Sequence, residues 1–493
     1  MYSMGYDIGS SSIKCSIINL AQGTVAASGY YPNEEMKIDS PKPGWAEQDP
    51  ELWWKYTKIL TKKLIKESKI DSKKIMSIGI SYQMHGLVLI DKNYKVLRPS
   101  IIWCDSRAVK IGERAFKKLG TSYCLQNLLN SPGNFTASKL RWVKENEPKV
   151  YSQIYKMMLP GDYIASKLTG EISSTISGLS EGIFWDFKCN SISKELISYY
   201  KIDENFLPKI NPTFSVQGKL TRDAAKEIGL NEETVVAYRA GDQPNNAFSL
   251  NVMNAGEIAA TAGTSGVVYG VIDKINFDQY SRVNQFIHVN HSDQQTRLGV
   301  LLCINGTGIQ NSWLRKNFAS NLSYDQMNNL AEKIAVGSEG ISVLPFGNGA
   351  ERVLENKNIG SHIMGLNFNR HTNAHIYRAV QEGIAFSFKL GIDVMREMGL
   401  EIKVIRAGNG NMFASPIFRE TLSNITDASI ELFDTDGSQG AARGAAIGAG
   451  FYKTFDEAFQ TVKKVSEVHP EKIKKEKTLR AYELWLNRLQ KFL

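Results

Sequence analysis

The sequence predicts an α/β protein of two domains, and three observations support this fold class. The chain has 493 residues, more than one hydrophobic core usually holds, so two domains of about 240 residues each are expected. Short apolar runs with strand character alternate along the chain with segments whose apolar residues recur at helical spacing. A turn of small and hydroxylic residues, flanked by β-rich runs, occurs once in each half, which indicates a duplicated architecture.

The two turns share one chemistry. Asp7-Ile8-Gly9-Ser10-Ser11-Ser12 precedes the apolar run 13–18, and Ala262-Gly263-Thr264-Ser265-Gly266 precedes the run 267–271. Each is predicted to be the tip of a β-hairpin. Exposed backbone N–H groups at glycine-rich turns, together with Ser and Thr hydroxyls, hold phosphate oxygens. We therefore expect the two tips to hold a nucleoside triphosphate in a cleft between the domains.

The elements of the first half follow from local signals. Strands are predicted at 75–80 and 87–90, with a helix before them. Asp49 is a natural N-cap for this helix and Pro50 suits its first position. Apolar residues then recur at i+4 spacing and give the helix one apolar face.

The second half begins where the strand pattern restarts. This restart places a boundary near 245–255 and predicts domains at 1–249 and 250–493. Beyond it the periodicity predicts a helix from about 376 to 398 that Gly399 ends, a strand at 404–407, a helix at about 415–424 and a docking helix at the C-terminus.

Composition excludes several classes of protein. The net charge of +9 is spread over many lysines without interleaved aromatics, so no nucleic-acid partner is expected. The five cysteines are scattered and form no CxxC pair, which favours a reduced, cytoplasmic setting. No apolar run approaches the roughly 18 residues that span a membrane, and no secretory signal precedes the first strand. The chain also lacks a P-loop motif, a zinc motif and a G-x-S-x-G elbow.

Asp7 is the candidate metal residue. It lies directly before the first turn, where a carboxylate would repel bare phosphate but can hold Mg²⁺ through water. The alternative is an aspartate that merely caps the turn.

Two loops that follow predicted strands suit a polyol. In the first, Gln83 and His85 can hydrogen-bond sugar hydroxyls while Met84 supplies an apolar wall. In the second, Trp103 can stack on a sugar and Asp105 can bind its hydroxyls. The alternatives are a structural loop with a satisfied histidine and a surface ion pair between Asp105 and Arg107.

Asp242 and a glycine-rich turn complete the candidate residues. Asp242 follows an apolar strand, where its carboxylate can accept the proton of a hydroxyl that attacks the γ-phosphate. The turn Gly408-Asn409-Gly410-Asn411 resembles a dinucleotide fingerprint only loosely, because Phe413 occupies the third glycine position, so NAD is excluded. Such a turn still lets adenine or ribose lie against the backbone.

Together these motifs resemble the FGGY family of carbohydrate kinases and, within it, the xylulokinase group, over essentially the whole chain. The matching segments, in order, are 7–14, 44–54, 83–86, 103–107, 136–142, 241–242, 263–266 and 365–382. The resemblance implies two actin/hexokinase-like domains of ribonuclease H type, with ATP and sugar in the interdomain cleft. It also implies ATP-dependent phosphorylation of a ketopentose at its terminal hydroxyl, with D-xylulose 5-phosphate as the product.

The resemblance also implies roles for individual residues. Asp242 would be the general base, Met84 and His85 would contact the sugar, and Asp7 would position Mg²⁺. Further contacts follow the matched motifs: Gln83, Trp103, Asp105 and Gln243 toward the sugar; Ser10, Ser11, Ser12, Lys14 and Thr264 toward the phosphates; Gly308, Gly408 and Ser415 toward the nucleotide.

The chain departs from the family at several positions and leaves alternatives open. Gln243 and Ser415 stand where relatives usually carry asparagine, and Gln381 stands where they are usually apolar. These departures bear on sugar specificity more than on reaction type, so a ribulokinase or gluconokinase remains an alternative. More remote alternatives are a non-enzymatic actin-fold ATPase and a sugar-binding regulator. A homodimer is possible.

Overall fold

The computed structural model describes residues 1–493 and divides them into two compact units. Unit 1 consists of Met1–Asn251, Gln285–Gln295 and Thr435–Val462. Unit 2 consists of Val252–Asn284, Thr296–Asp434 and Lys463–Leu493. The units therefore differ from the contiguous ranges 1–249 and 250–493, because two short segments of the second half pack with unit 1.

The strands alternate with helices along much of the chain. The strands are β1 Tyr2–Ile8, β2 Ile13–Asn19, β3 Val25–Tyr31, β4 Glu47–Gln48, β5 Ile75–Tyr82, β6 Val88–Ile90, β7 Ser100–Ile101, β8 Lys156–Met158, β9 Ser173–Thr175, β10 Trp185–Asp186, β11 Ser191–Ile192, β12 Lys209–Asn211, β13 Phe214–Lys219, β14 Val235–Gly241, β15 Ile258–Ala262, β16 Gly266–Ile272, β17 Asn284–Ile287, β18 Leu298–Ile304, β19 Ser342–Phe346, β20 Gly360–Met364, β21 Val404–Gly408, β22 Ser429–Phe433 and β23 Lys464–Val468.

The helices range from a single turn to 25 residues. They are α1 Pro50–Ser68, α2 Val109–Leu119, α3 Thr121–Tyr123, α4 Thr136–Asn146, α5 Pro148–Tyr151, α6 Pro160–Thr169, α7 Ile176–Glu181, α8 Lys194–Tyr200, α9 Arg222–Ile228, α10 Asp242–Ser249, α11 Gly308–Phe318, α12 Tyr324–Ala331, α13 Asn373–Glu397, α14 Pro416–Thr426, α15 Gly437–Gly448, α16 Phe455–Phe459 and α17 Lys472–Leu489. No helix is long and apolar enough to cross a membrane.

The core of unit 1 is a six-stranded sheet in the order β13-β14-β5-β1-β2-β3. Strands β1, β5 and β14 are parallel, whereas β2, β3 and β13 add antiparallel edges. Helix α1 begins as predicted, with Asp49 accepting a hydrogen bond from the Glu51 N–H and Pro50 at its first position. The carboxyl ends of the three parallel strands meet at one edge of the sheet, a common place for ligand groups.

Helix α15 joins unit 1 because its small residues allow close contact with the sheet. A Cβ atom on Gly5 would lie 2.0 Å from the Ser438 carbonyl oxygen, and one on Gly79 would lie 1.9 Å from that of Ala441. Any larger side chain at either glycine would push the helix away. The small residues of α15 therefore serve close packing against the sheet. The sequence alone did not assign the helix to unit 1.

Within unit 2, six consecutive strands of one sheet follow the order β18-β16-β15-β21-β22-β23. Strands β15, β21 and β22 are parallel, and β16, β18 and β23 are antiparallel to their neighbours. The C-terminal helix α17 docks as predicted, since Trp485 is fully buried and its indole N–H donates to the Val343 carbonyl oxygen at 2.8 Å.

Candidate active site

The site of unit 1 forms where β1, β5 and β14 end. Asp7 is aligned with Ser81, whereas Ile8 and Gly241 are both aligned with Tyr82. The Ser81 hydroxyl donates to Asp7 Oδ1 at 2.9 Å. This register brings three predicted features to one edge: Asp7, the loop that begins at Gln83, and Asp242.

The first turn is a hairpin tip, as predicted. Strands β1 and β2 pair up to Ile8 and Ile13, and the Gly9 N–H donates to the Ser12 carbonyl oxygen at 3.1 Å. Ser10 is held at the tip, because its hydroxyl accepts from the Trp103 indole N–H at 3.3 Å. Ser11 and Lys14 are exposed.

The Asp7 carboxyl lies in a mixed electrostatic environment. Burial raises its pKa, Asp436 adds to that rise, and Lys14 and the Ser81 hydroxyl oppose it. The first residue of α15 lies against this carboxyl, since a Cβ atom on Gly437 would be 3.0 Å from Asp7 Oδ2. The positive end of a helix favours a negative charge at that place.

The donor set around Asp7 suits hydrated Mg²⁺ better than an all-protein metal cage. No group of three or more His, Cys, Asp or Glu side chains could hold a metal ion. Mg²⁺ commonly keeps several waters and binds through one or two carboxylates together with substrate phosphates. Asp7 fits that pattern, and its charge is close enough to raise the pKa of the Asp242 carboxyl.

His85 is fixed from several sides. Its backbone φ is +62°, and its ring Nδ1 lies 3.0 Å from the Glu181 carbonyl oxygen. The rings of Phe135 and Phe286 pack against it at centroid distances of 4.8 and 5.4 Å. Met84 is buried beside it, against Gly241.

Gln83 is buried and connects the loop to the first tip. Its backbone N–H donates to the Ile8 carbonyl oxygen at 2.9 Å, and its side-chain amide donates to Gln48 Oε1 at 3.2 Å. Gln48 in turn donates to the Ser10 carbonyl oxygen at 2.7 Å. Gln83 Oε1 has no hydrogen-bond partner.

Lys139 stabilises the His85 loop through hydrogen bonds to backbone carbonyl oxygens, a role that the motif match did not indicate. Its side chain is fully buried, and its amine donates to the carbonyl oxygens of His85 at 2.8 Å and Ile102 at 2.9 Å. Burial lowers the pKa of Lys139 to about 7, although Asp105 opposes this shift.

Asp105 forms a buried ion pair rather than the surface ion pair considered as an alternative. It is 0% exposed, and its oxygens accept from Arg107 Nη2 at 2.6 Å and from the Ala46 N–H at 2.6 Å. The Arg107 guanidinium lies 3.8 Å from the ring centroid of Trp45. Trp103 is 48% exposed. Asp105 thus shapes the loop, and a direct contact between Asp105 and sugar stays a prediction.

Asp242 is the first residue of α10, directly after β14. Burial raises the pKa of its carboxyl to about 7, and the charge of Asp7 adds to that rise. Hydrogen bonds from Gln243 lower the Asp242 pKa in part. A carboxyl that titrates near neutral pH suits general base catalysis.

The second turn, in unit 2, is also a hairpin tip as predicted. Strands β15 and β16 pair up to Ala262 and Gly266, and the start of α11 rests on the tip. The Gly308 N–H donates to the Gly263 carbonyl oxygen at 2.9 Å. Gly308 must be glycine at this contact, because a Cβ atom would lie 2.1 Å from that oxygen. Thr264 is exposed at the tip.

Gly408 ends β21, the parallel neighbour of β15, and Ser415 caps α14 nearby in the chain. The Ser415 hydroxyl donates to Gln381 Oε1 and accepts from the Phe418 N–H at 3.4 Å. Gln381 also donates to Asn328 Oδ1 at 3.0 Å. Two of the three positions at which the sequence departs from the family, Ser415 and Gln381, are therefore direct partners, which sequence spacing could not indicate.

This pairing predicts that mutations at the two positions are coupled. Ser415→Ala and Gln381→Leu should each lower the free energy of unfolding by about 1–3 kcal/mol, because each leaves a buried polar partner unpaired. The double variant should lose less than the sum of the two single losses. Urea unfolding of the four proteins tests this prediction, and strictly additive losses would contradict it.

Comparisons with known proteins agree with this architecture. The model of the FGGY family of carbohydrate kinases, N-terminal domain, matches residues 2–249, and that of the C-terminal domain matches residues 258–452. The xylulose kinase of Bacillus subtilis (strain 168) is 28% identical over 497 residues, which cover 99% of this chain and 96% of that relative.

Solved structures share the fold. The crystal structure of ligand bound xylulose kinase from Lactobacillus acidophilus superposes with a TM-score of 0.91 at 23% identity, covering 99% of this chain and 98% of the other. The gluconate kinase of the same organism gives 0.90 at 22% identity, covering 99% and 97%. The expected α/β fold class, with two domains of the actin/hexokinase-like type, is confirmed.

Proposed function

The chain belongs to the FGGY family of carbohydrate kinases, and from that premise we propose that it phosphorylates a ketopentose at the terminal hydroxyl. D-xylulose is the first candidate substrate and D-xylulose 5-phosphate the product. The observation that carries the proposal is the Asp242 carboxyl, whose pKa is raised to about 7 and which directly follows Gly241, a residue packed against Met84. The similarity to a xylulose kinase over nearly the full length supports the substrate, and the likeness to a gluconate kinase keeps gluconate as the alternative.

In this proposal Asp242 is the general base. Its carboxylate accepts the proton of the terminal hydroxyl as that oxygen attacks the γ-phosphorus of ATP, and ADP leaves. His85 and Met84 hold the sugar, with Gln83, Trp103 and Gln243 as further contacts. Asp105 contributes through its ion pair with Arg107, which shapes the loop that carries Trp103.

In this proposal the two hairpin tips bind the phosphates of ATP. Ser10, Ser11, Ser12 and Lys14 offer hydroxyls, N–H groups and a positive charge from unit 1, and Thr264 offers the same type of contact from unit 2. Asp7 would hold Mg²⁺ through water, and the ion would neutralise charge on the phosphates. The backbone at Gly308 and Gly408 lets adenosine approach, whereas Ser415 supports the nucleotide site through Gln381.

The test is an assay of ADP release with Mg-ATP over D-xylulose, D- and L-ribulose, L-xylulose, glycerol and gluconate. A clear preference for D-xylulose in kcat/KM is the expected result. Preference for another sugar would overturn the substrate and keep the reaction. No sugar-dependent turnover would overturn the proposal and favour a sugar-binding regulator or an actin-fold ATPase.

The activity is also expected to depend on pH through Asp242. Because its carboxyl must be ionised to accept a proton, and its pKa is raised to about 7, kcat/KM for the sugar should rise as pH increases through about 7. Initial rates between pH 5.5 and pH 9 at low sugar concentration measure this rise in kcat/KM, which is the acid limb of the pH profile. A profile that is flat through neutral pH would contradict the assignment.

A further inference from the structure

Glu181, the last residue of α7, is a buried carboxyl that the proposed reaction does not use. Its side chain is 2% exposed. Tyr82 lies against the carboxyl, yet neither oxygen has a hydrogen bond of normal geometry. Burial of an acidic group without a well-formed hydrogen bond opposes folding. A glutamate at this place therefore calls for a functional explanation.

Glu181 contacts the ring of His85 twice. Its carbonyl oxygen lies 3.0 Å from His85 Nδ1, and its carboxyl Oε2 lies 3.9 Å from the same nitrogen. A carbonyl oxygen can only accept a hydrogen bond, so Nδ1 must carry the proton. In the neutral ring, Nε2 is then the acceptor. The main chain of Glu181 thereby fixes the tautomer of His85.

Glu181 also lies against the turn that carries Asp242. A Cβ atom on Gly241 would lie 2.8 Å from Glu181 Oε2 and 2.6 Å from the Met84 Cγ. The carboxyl thus occupies the space between the His85 loop and the backbone directly before Asp242. No motif or spacing in the sequence marks Glu181, since its neighbours come from distant segments of the chain.

We propose that Glu181 is a positioning residue of the sugar site, which orients the His85 ring and the turn before Asp242 through its main chain and its carboxyl. The inference rests on the proposed function, because it assigns Glu181 to the same site. It adds a residue that contacts both the His85 ring and Gly241, the residue directly before Asp242.

The role requires Glu181 to remain uncharged. Burial raises its pKa well above the ordinary value, and the charge of Asp242 raises it further. Both effects favour the protonated form of Glu181, so the proposal places the negative charge on Asp242. The charged and titratable groups that face Glu181 are Asp242, Asp162, Tyr82, Lys139 and His85.

The test compares Glu181→Gln with Glu181→Met. Glutamine imitates a neutral acid, whereas methionine keeps the volume and removes the polar group. Glu181→Met is expected to lower kcat/KM for the sugar about tenfold or more, with KM for ATP changed by less than about twofold. Glu181→Gln should recover much of that loss and leave the midpoint of the acid limb in place, because no charge has been removed. Glu195→Gln, on an exposed position of α8, is the matched control.

A second measurement does not depend on activity. The infrared difference spectrum between the parent protein and Glu181→Gln at neutral pH should show the carbonyl stretch of a protonated carboxylic acid. The proposal is overturned if that band is absent, if Glu181→Gln moves the acid limb to lower pH, or if Glu181→Met has the sugar kinetics of the parent. If Glu181→Met does not fold, the spectrum and the Glu181→Gln profile decide. If no sugar is turned over, the proposed function fails, and the spectrum still tests whether Glu181 is protonated.

Discussion

Replacement of Asp242 by asparagine or alanine is expected to lower kcat by about three orders of magnitude or more, while the protein still folds. The carboxylate is lost as a proton acceptor, and the sugar loses a contact that holds its hydroxyl. Asparagine preserves the shape of the side chain, so a comparable loss in Asp242→Asn and Asp242→Ala would assign the effect to the charge. Steady-state ADP release at saturating sugar and ATP measures it.

The same replacement should stabilise the folded protein at alkaline pH. The folded pKa of Asp242 is raised to about 7 from an ordinary 3.8. Between these values the folded state binds more protons than the unfolded state, so the carboxyl's contribution to stability falls as pH rises through this window. Above pH 7 Asp242→Asn removes a buried charge. It is therefore expected to unfold at a higher urea concentration than the parent.

The control for both effects is Asp223→Asn, which changes an exposed carboxylate on α9. It should leave kcat unchanged and give no gain in stability at pH 8. Near-full sugar kinase activity in Asp242→Asn would remove Asp242 from the role of base. If Asp242→Asn loses both activity and stability, misfolding would instead explain the loss of activity.

The two hairpin tips could be predicted because their signals are local. Small residues between β-rich runs specify a tight turn without help from distant contacts, and both tips close where the sequence placed them. The convergence of Asp7, Gln83 and Asp242 was also foreseeable, since parallel strands bring their carboxyl ends to one edge. What the tips bind remains part of the proposal.

Other features depend on contacts that no local pattern encodes. Glu181 approaches His85 and Gly241 only because α7 ends beside them, and Ser415 meets Gln381 across 34 positions of the chain. The segment Thr435–Val462 joins unit 1 because Gly5 and Gly79 leave room for a helix on the sheet. Long-range shape complementarity of this kind has no fixed spacing in the sequence.

Replacement of Lys139 by methionine is expected to lower both the free energy of unfolding and the affinity for the sugar. Lys139→Met keeps most of the side-chain volume but leaves the carbonyl oxygens of His85 and Ile102 without their donor. Each unpaired buried carbonyl costs about 1–3 kcal/mol. The His85 loop should loosen, so KM for the sugar should rise more than KM for ATP.

The loss of stability in Lys139→Met should grow with pH. The folded pKa of Lys139 is lowered to about 7 from an ordinary 10.5, so between these values the unfolded state binds more protons. The parent therefore gains stability as pH rises through this window, and the variant has no such gain. Urea unfolding at pH 6.5, 8 and 9.5 should show a widening difference in the free energy of unfolding.

Lys117→Met serves as the control, because Lys117 is exposed on α2. The difference in the free energy of unfolding between the parent and this variant should stay small and nearly constant with pH. A constant gap for Lys139→Met would mean that the buried amine keeps an ordinary pKa. A Lys139→Met protein as stable as the parent at pH 9.5 would mean that the two carbonyl oxygens find other donors, and the support of the His85 loop would then lie elsewhere.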